Sequence, residues 1–123
     1  MRAQELERVA AQVVEKTLGQ LPKEIREVAG RVAVHFEPTP RADVLAEGFE
    51  PDLLGLFSGD PLGASDTPEQ AVPPQIHLYV ANLWDYAGED LGAFREEVRL
   101  TFLHELGHFL GWDEDDVAAR GLD

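Results

Sequence analysis

The sequence contains no cysteine, so its fold cannot depend on disulfide bonds and any metal site must be built without thiolates. It has no stretch approaching the ~20 consecutive apolar residues of a membrane-spanning helix. Near the N-terminus, charged and apolar side chains alternate, whereas a signal peptide has an uninterrupted apolar core. We therefore expect a cytoplasmic protein with no membrane partner.

Basic residues are scarce, because Lys and Arg total 10 against 24 Asp and Glu, which gives a formal net charge of −14. Such a surface repels phosphate backbones, which nucleic-acid-binding proteins attract with clustered Lys and Arg. We therefore expect no nucleic-acid partner. The charge favours solubility, and around a peptide-binding site it would raise the local concentration of cationic or neutral segments.

The chain is long enough to bury its own core, with 123 residues of which 44% are hydrophobic. Without an evident repeat or boundary, we expect one domain over residues 1–123. Apolar residues recur at helical spacing in some segments and alternate in others, which predicts an α+β fold. A proline-rich and glycine-rich loop over 58–73 is expected to be the most mobile segment. We predict helices at 3–18, 23–28, about 89–110 and 115–120, and strands at 31–37, 54–57 and 75–80.

One segment, HELGHFLG at residues 104–111, indicates a specific chemistry. His104 and His108 are four residues apart, so on a helix their side chains share one face, with Cβ atoms ~5–6 Å from each other. Two imidazoles arranged in this way can bind one zinc ion, and Glu105 beside them can accept a proton from water at that ion. The segment therefore predicts a metal site with a general base.

The predicted helix around this segment has one apolar and one polar face. Both histidines fall on the polar side, together with Glu97 and Thr101. The simplest alternative is a pair of surface histidines beside a solvated Glu105. That alternative does not explain why both histidines lie on the polar face of the helix, so we favour the metal site. The opposite, apolar arc contains Phe94, Val98, Phe102, Leu103, Leu106, Phe109 and Leu110.

A zinc site of this kind needs a third protein ligand and leaves a fourth position for water. The fifteen residues after His108 contain no His and no Cys, so the candidates there are acidic. Gly111 is suited to end the helix in the left-handed conformation, after which the chain can turn back. Glu114 is well placed to reach the ion, and Asp113 and Asp115 are alternatives if the turn differs by one residue. Acidic residues here could also simply cap the next short helix.

The segment HELGHFLGWDE resembles the HExxHxxGxx(H/D) signature of the zincin metallopeptidases. With a carboxylate at the last position, it is closer to the aspartate-ligand branch than to the three-histidine metzincins, although Glu114 stands where that branch has Asp. Most of the chain is similar to small bacterial zincin-like domains regarded as zinc metallopeptidases. The similar parts are the N-terminal helix, LLGLFSGDPL, IHLYV and EEVRLTFLHELGHFLGWDEDD.

This resemblance implies a fold, a site and an activity. The fold would be a minimal zincin-like domain, in which a small mixed sheet packs against the N-terminal helix and the long helix that carries the motif. His104, His108 and Glu114 would bind zinc, and Glu105 would be the general base in hydrolysis of a peptide or protein substrate. An edge strand, for which we select residues 75–80, would pair with the extended peptide.

Supporting roles are conceivable for three further residues. Glu97 could hydrogen-bond a ligand imidazole, and Tyr79 and Tyr86 could contact the oxyanion that develops during hydrolysis. Each also has an ordinary interpretation as a solvated or packed side chain, and His35 and His77 are more typical of exposed strand residues. Two other functions stay open. One is a zinc-binding domain without catalysis, and the other is an acidic protein-interaction module with an inert motif.

Overall fold

The computed structural model describes residues 1–63 and 72–112. The predicted helix at 115–120 and much of the loop at 58–73 lie outside these ranges. Two hydrogen bonds join the described ends of that loop, because the amide of Asp60 donates to the carbonyl of Val72 and the amide of Val72 to Oδ2 of Asp60. In chain order the elements are α1 Ala3–Gln20, α2 Lys23–Ala29, β1 Ala33–Glu37, α3 Ala42–Ala46, β2 Gly55–Ser58, β3 Gln75–Tyr79, α4 Val80–Tyr86 and α5 Leu91–Leu110.

The three strands form a mixed sheet of order β1-β3-β2. β1 runs parallel to β3, with His35 opposite His77, and β2 runs antiparallel to β3, with Gly55 opposite Leu78. The expectation that residues 75–80 form an edge strand is therefore wrong, because β3 has a partner on each side. Among the described strands, β1 and β2 are the edges.

α1 and α5 pack together and cover one face of the sheet, as the α+β prediction requires. On α1 the buried side chains recur at intervals of three or four residues, which keeps them on one side of the helix. On β3, Ile76 and Leu78 are both fully buried, because alternate residues of a strand point to the same face. The shared core consists of Leu6, Ala10, Val14, Leu21, Ala29, Val32, Ile76, Leu78, Val80, Leu83, Phe94, Val98, Phe102, Leu103, Leu106 and Phe109.

α5 begins and ends where its sequence indicates. Oδ2 of Asp90 accepts a hydrogen bond from the amide of Ala93 at 2.8 Å, which caps the first turn. Gly111 adopts the left-handed conformation with φ of 73°, and the amide of Trp112 donates to the carbonyl of Gly107. These two ends fix a helix of 20 residues, about 30 Å long, with the motif in its last two turns.

Two short helices were not predicted from the sequence. α4 follows β3 directly, so Val80, expected to end the strand, instead begins a helix whose Leu83 is fully buried. α3 is a five-residue helix with no buried residue. Within the described part of the chain, no helix is both long and apolar enough to cross a membrane.

Candidate metal centre and general base

The imidazoles of His104 and His108 converge on one point beside α5. Their Nε2 atoms lie 3.2 Å apart, and the ring centroids are 4.9 Å apart with the ring planes at 62°. Both residues are exposed, whereas the opposite side of the helix is buried. The prediction that the two histidines share the polar face of this helix is therefore confirmed.

The separation of these two nitrogens fits a shared tetrahedral ion. Zinc binds imidazole nitrogen at about 2.0–2.1 Å, so two such bonds at the tetrahedral angle place the nitrogens about 3.3 Å apart. The observed 3.2 Å is close to that value. The nitrogen of an imidazole ring is also one of the ligands that zinc commonly binds in proteins. The pair therefore has both the chemistry and the spacing for two ligands of one metal ion.

Glu105 occupies the buried side of the same helix turn. It is only 9% exposed, so the alternative of a solvated glutamate is wrong. Burial raises the pKa of its carboxyl group above the ordinary value, while the nearby His108 and His104 and the backbone of Phe57 act in the opposite direction. A buried carboxylate beside two histidines is the environment expected of a proton acceptor.

The backbone amide of Phe57 points outward from β2, away from β3. The amide of Tyr79 donates to the carbonyl of Leu54, which makes these two residues a hydrogen-bonded pair across β2 and β3. In an antiparallel pair, hydrogen-bonded positions alternate along each strand. The backbone N–H and C=O of Leu56 therefore also point toward β3, whereas those of Gly55 and Phe57 point away from it. Among the described strands, these groups of β2 lie on the edge that β3 does not cover.

A glycine allows α5 to approach β2 this closely. A Cβ atom on Gly55 would lie 2.6 Å from Cγ2 of Thr101 and 3.4 Å from Cγ of Glu105. One of these distances is far inside van der Waals contact, so only glycine fits without a shift of the helix or the strand. The sequence analysis did not identify the contact, although a single glycine within an apolar strand such as LLGLF can indicate a close backbone approach.

The family model described as Zincin-like metallopeptidase matches residues 29–122 of the chain, which include the whole sheet and the complete motif. This chain belongs to the zincin-like metallopeptidase family. No curated protein sequence matches the chain. The resemblance inferred from HELGHFLGWDE is therefore confirmed at the level of the family.

The third ligand expected for a zincin-like site is outside the described structure. Glu114, Asp113 and Asp115 all follow residue 112, where the description ends. Within residues 1–63 and 72–112, no group of three His, Asp or Glu side chains could hold a metal ion. The described structure thus provides two imidazoles and a buried carboxylate, and the completing ligand stays a prediction.

Glu97 and Tyr86 lie away from the histidine pair of this zincin-like domain. Glu97 is half-buried on α5, two turns or about 10 Å along the helix axis from His104. Among the residues with described positions, no hydrogen bond joins Glu97 to either imidazole. Tyr86 is 66% exposed and ends α4, shortly before α5 begins. The first residue of α5 is about 20 Å along the helix axis from His104.

Tyr79 lies on the sheet face opposite α5. Its ring stacks at 6.5 Å on that of His77, which in turn stacks on His35 at 4.9 Å. Nδ1 of His77 lies 3.0 Å from Oε1 of Glu37, so these strand residues form a polar cluster of their own. The Tyr79 hydroxyl is fully buried and has no hydrogen-bond partner within the described structure. Burial raises its pKa, and the carboxylate of Glu37 adds to that effect.

Proposed function

We propose that this protein is a zinc-dependent peptidase in which His104, His108 and Glu114 hold the metal and Glu105 is the general base. The observation that carries the proposal is the 3.2 Å separation of the two Nε2 atoms, with a buried carboxylate on the next residue of the same helix. Membership of the zincin-like metallopeptidase family supports it. Asp113 and Asp115 are the alternatives for the third ligand.

Each residue has a distinct task in this proposal. When bound, zinc supplies an acidified water molecule and polarises the substrate carbonyl. His104 and His108 hold their nitrogens in the required arrangement because one helix turn fixes both side chains. Glu105 accepts the proton from the attacking water and passes it to the nitrogen of the leaving group.

The burial of Glu105 suits it to this proton transfer. A carboxylate with a raised pKa is a stronger base than a solvated one, so proton abstraction from water is more favourable. The neighbouring histidines and the backbone of Phe57 oppose the effect of burial and favour the ionised form.

We assign the substrate side of the site to the edge of β2 that no described strand covers. Glu105 packs close to β2, since a Cβ atom on Gly55 would lie 3.4 Å from its Cγ, whereas β3 is enclosed between two strands. An extended peptide beside β2 would therefore pass close to the base and the histidine pair. The net charge of −14 would favour cationic or neutral peptide segments over acidic ones.

We also propose that residues 1–123 form one domain, although the family match begins at residue 29. α1 precedes the matched range, yet its Leu6, Ala10 and Val14 belong to the same core as Phe102 and Leu106 of the motif helix. Removing α1 would expose that core. The N-terminal helix is therefore part of the unit that positions the site.

The proposal is tested by incubating the zinc-loaded protein with a randomised peptide library and detecting cleavage by mass spectrometry. Glu105→Gln should retain zinc and lose cleavage, because an amide cannot accept the proton. Glu96→Gln is the matched control, since Glu96 is exposed on the same helix and forms an ion pair with Arg99. If Glu105→Gln cleaves as well as the parent, the assigned base is wrong.

Other outcomes of this experiment would favour the competing functions. If the parent binds zinc but cleaves no peptide, the protein is a zinc-binding domain without peptidase activity. If the parent binds no zinc, the motif is inert and the interaction-module hypothesis is favoured. Zinc content measured on the same samples separates these two results.

A further inference from the structure

A pocket of about 210 Å³ lies between the chain that follows β2 and the C-terminal end of α5. Its wall is mostly apolar and includes Leu62, Val72, Pro74 and Phe109. Phe109 is 2% exposed and forms the closed end, whereas Leu62 at 43% and Val72 at 53% lie at the mouth. Pockets that hold drug-sized ligands measure about 300–1,000 Å³. This pocket is therefore of a size to hold a single side chain.

Two contacts attach the pocket to the helix turn that carries the histidine pair. Phe109 directly follows His108, and its carbonyl accepts a hydrogen bond from the amide of Leu62 at 2.8 Å. The ring of Phe109 also packs on that of Phe57, with centroids 6.1 Å apart. Phe109 is four residues after Glu105, which is about 6 Å along the helix axis. The pocket therefore begins about one helix turn from the proposed base.

The two segments that bring Leu62 and Val72 to the pocket are held together. Asp60 and Val72 are joined by two hydrogen bonds. Gly59 lies directly against the backbone of Pro73, where a Cβ atom would clash, and its φ of 96° is one that glycine adopts readily. The mouth of the pocket is therefore built by contacts within the chain, as is usual for ligand pockets that are formed before the ligand binds.

β2 leads from the proposed base to the pocket. At its start, Gly55 lies beside Glu105, and further along Phe57 lies beside Phe109. β2 and the last turns of α5 therefore run in the same direction. An extended peptide beside β2 advances about 3.3 Å per residue. Such a peptide would reach the pocket about two residues away from the base.

The charged groups of the pocket favour a neutral occupant. Arg31 and Asp60 both line it, so their formal charges cancel. Oδ2 of Asp60 already accepts the amide hydrogen of Val72 at 2.8 Å. A charged side chain that entered would lose water for a mostly apolar wall, which costs free energy. An apolar side chain would instead gain from leaving water.

We propose that this pocket is a specificity subsite that accepts one neutral, apolar side chain of the peptide substrate, about two residues from the bond that is cleaved. The inference rests on the proposed peptidase function and narrows its substrate class. The net charge of −14 acts on the whole peptide. The pocket selects at one position only.

Substitutions of Leu62 change the size of the pocket in opposite directions. Leu62→Ala widens the mouth, and Leu62→Trp narrows it. Leu45 provides the matched controls Leu45→Ala and Leu45→Trp, because it is a leucine of similar exposure, 38%, that lies on α3 and does not line the pocket. The same substitutions are thus made at the pocket and away from it.

The kinetic test uses the zinc-loaded protein and two peptides that differ only at the position where the library shows the apolar preference. One peptide has Phe at this position and the other has Ala. The ratio of their kcat/KM values should rise about tenfold in Leu62→Ala and fall about tenfold in Leu62→Trp. Both Leu45 variants should keep the ratio of the parent.

This ratio separates selection by the pocket from a general loss of structure, which would slow cleavage of both peptides alike. The proposal is overturned if both Leu62 variants keep the ratio of the parent. A parent that prefers a charged side chain at this position, or that shows no preference at any position, would also overturn it.

A second measurement needs no activity. N-acetylleucinamide and N-acetyllysinamide are titrated separately into the protein, and the backbone amide shifts are followed by NMR. The leucine compound should cause saturable shifts at Leu62, Val72 and Phe109, and the lysine compound should not. Leu62→Trp should abolish these shifts and Leu45→Trp should retain them. Equal responses to the two compounds, or none at these amides, would overturn the proposal.

Failure of this inference can be told apart from failure of the proposed function. If the parent cleaves no peptide, the peptidase assignment fails, and the NMR titration still reports whether the pocket takes an apolar side chain. If the parent cleaves peptides and the Leu62 variants keep its preference, only the subsite is rejected.

Discussion

Gly55 on β2 and Thr101 on α5 pack so closely that a Cβ on the glycine would lie 2.6 Å from Cγ2 of the threonine. This contact lies one helix turn before Glu105. It therefore sets the distance between the motif helix and β2 close to Glu105, whose Cγ would lie 3.4 Å from the same Cβ.

Gly55→Ala should destabilise the protein because the added methyl group overpacks this contact. We expect the free energy of unfolding to fall by about 1–3 kcal/mol, measured by urea denaturation. Thr101→Ser removes the clashing methyl group, so the double variant should lose less stability than the sum of the two single variants. Additive losses would show that the helix and strand do not meet at this point.

Glu105→Gln should stabilise the metal-free protein at neutral pH. Burial raises the pKa of Glu105 in the folded state, so the folded protein binds this proton more tightly than the unfolded chain. The stability from this proton is fully present below the ordinary carboxyl pKa and is lost as pH rises through the higher folded value. The advantage of Glu105→Gln should therefore be largest at neutral pH and shrink on acidification, in urea titrations with chelator present.

Glu96→Gln provides a control of opposite sign for that measurement. The hydrogen bond from Arg99 lowers the pKa of Glu96, so its small contribution to stability is present at neutral pH and is lost on acidification. The two variants should therefore deviate from the parent in opposite directions at neutral pH. A Glu105→Gln variant that is less stable than the parent at neutral pH would contradict the assigned burial.

Tyr79→Phe should raise the free energy of unfolding by about 1 kcal/mol, because it removes a buried hydroxyl that has no described partner. Peptide cleavage should stay within about twofold of the parent, since Tyr79 lies on the face of the sheet opposite the motif helix. A large loss of kcat at unchanged stability would instead support the role of Tyr79 as a contact to the developing oxyanion.

Substitution of the three acidic candidates should identify the third metal ligand. Glu114→Ala should weaken zinc binding far more than Asp113→Ala or Asp115→Ala, because the family signature has its ligand at the position of Glu114. Each variant should be titrated with zinc against a competing chelator. If Asp113→Ala or Asp115→Ala shows the largest loss, the chain returns to the metal by a turn that differs by one residue.

Local patterns in the sequence were sufficient to predict the elements that carry the site. Asp90 and Gly111 mark the ends of α5, and the helical period correctly predicted its buried face and the exposed pair His104 and His108. These features depend on residues close together in the chain, where spacing alone determines which side chains share a face.

Features that depend on contacts between distant segments were not predictable in this way. The central position of β3 in the sheet was not predicted. A long connection separates β2 from β3, and its length does not indicate which strand β2 pairs with. The close approach of Gly55 to Thr101 and Glu105 joins residues that no sequence spacing relates. α4 was missed because Val80 favours a strand by local propensity, whereas burial of Leu83 stabilises the helix.

The central claim, that His104 and His108 bind one metal ion together, is tested most directly by an equilibrium zinc titration against a competing chelator. The parent should bind one zinc ion per chain. His104→Ala and His108→Ala should each weaken zinc binding by about 100-fold or more, since even residues that only support a ligand contribute 10–100-fold. His35→Ala, which removes an exposed strand histidine, should bind zinc as the parent does. Parent-like zinc affinity in both His104→Ala and His108→Ala would contradict the account.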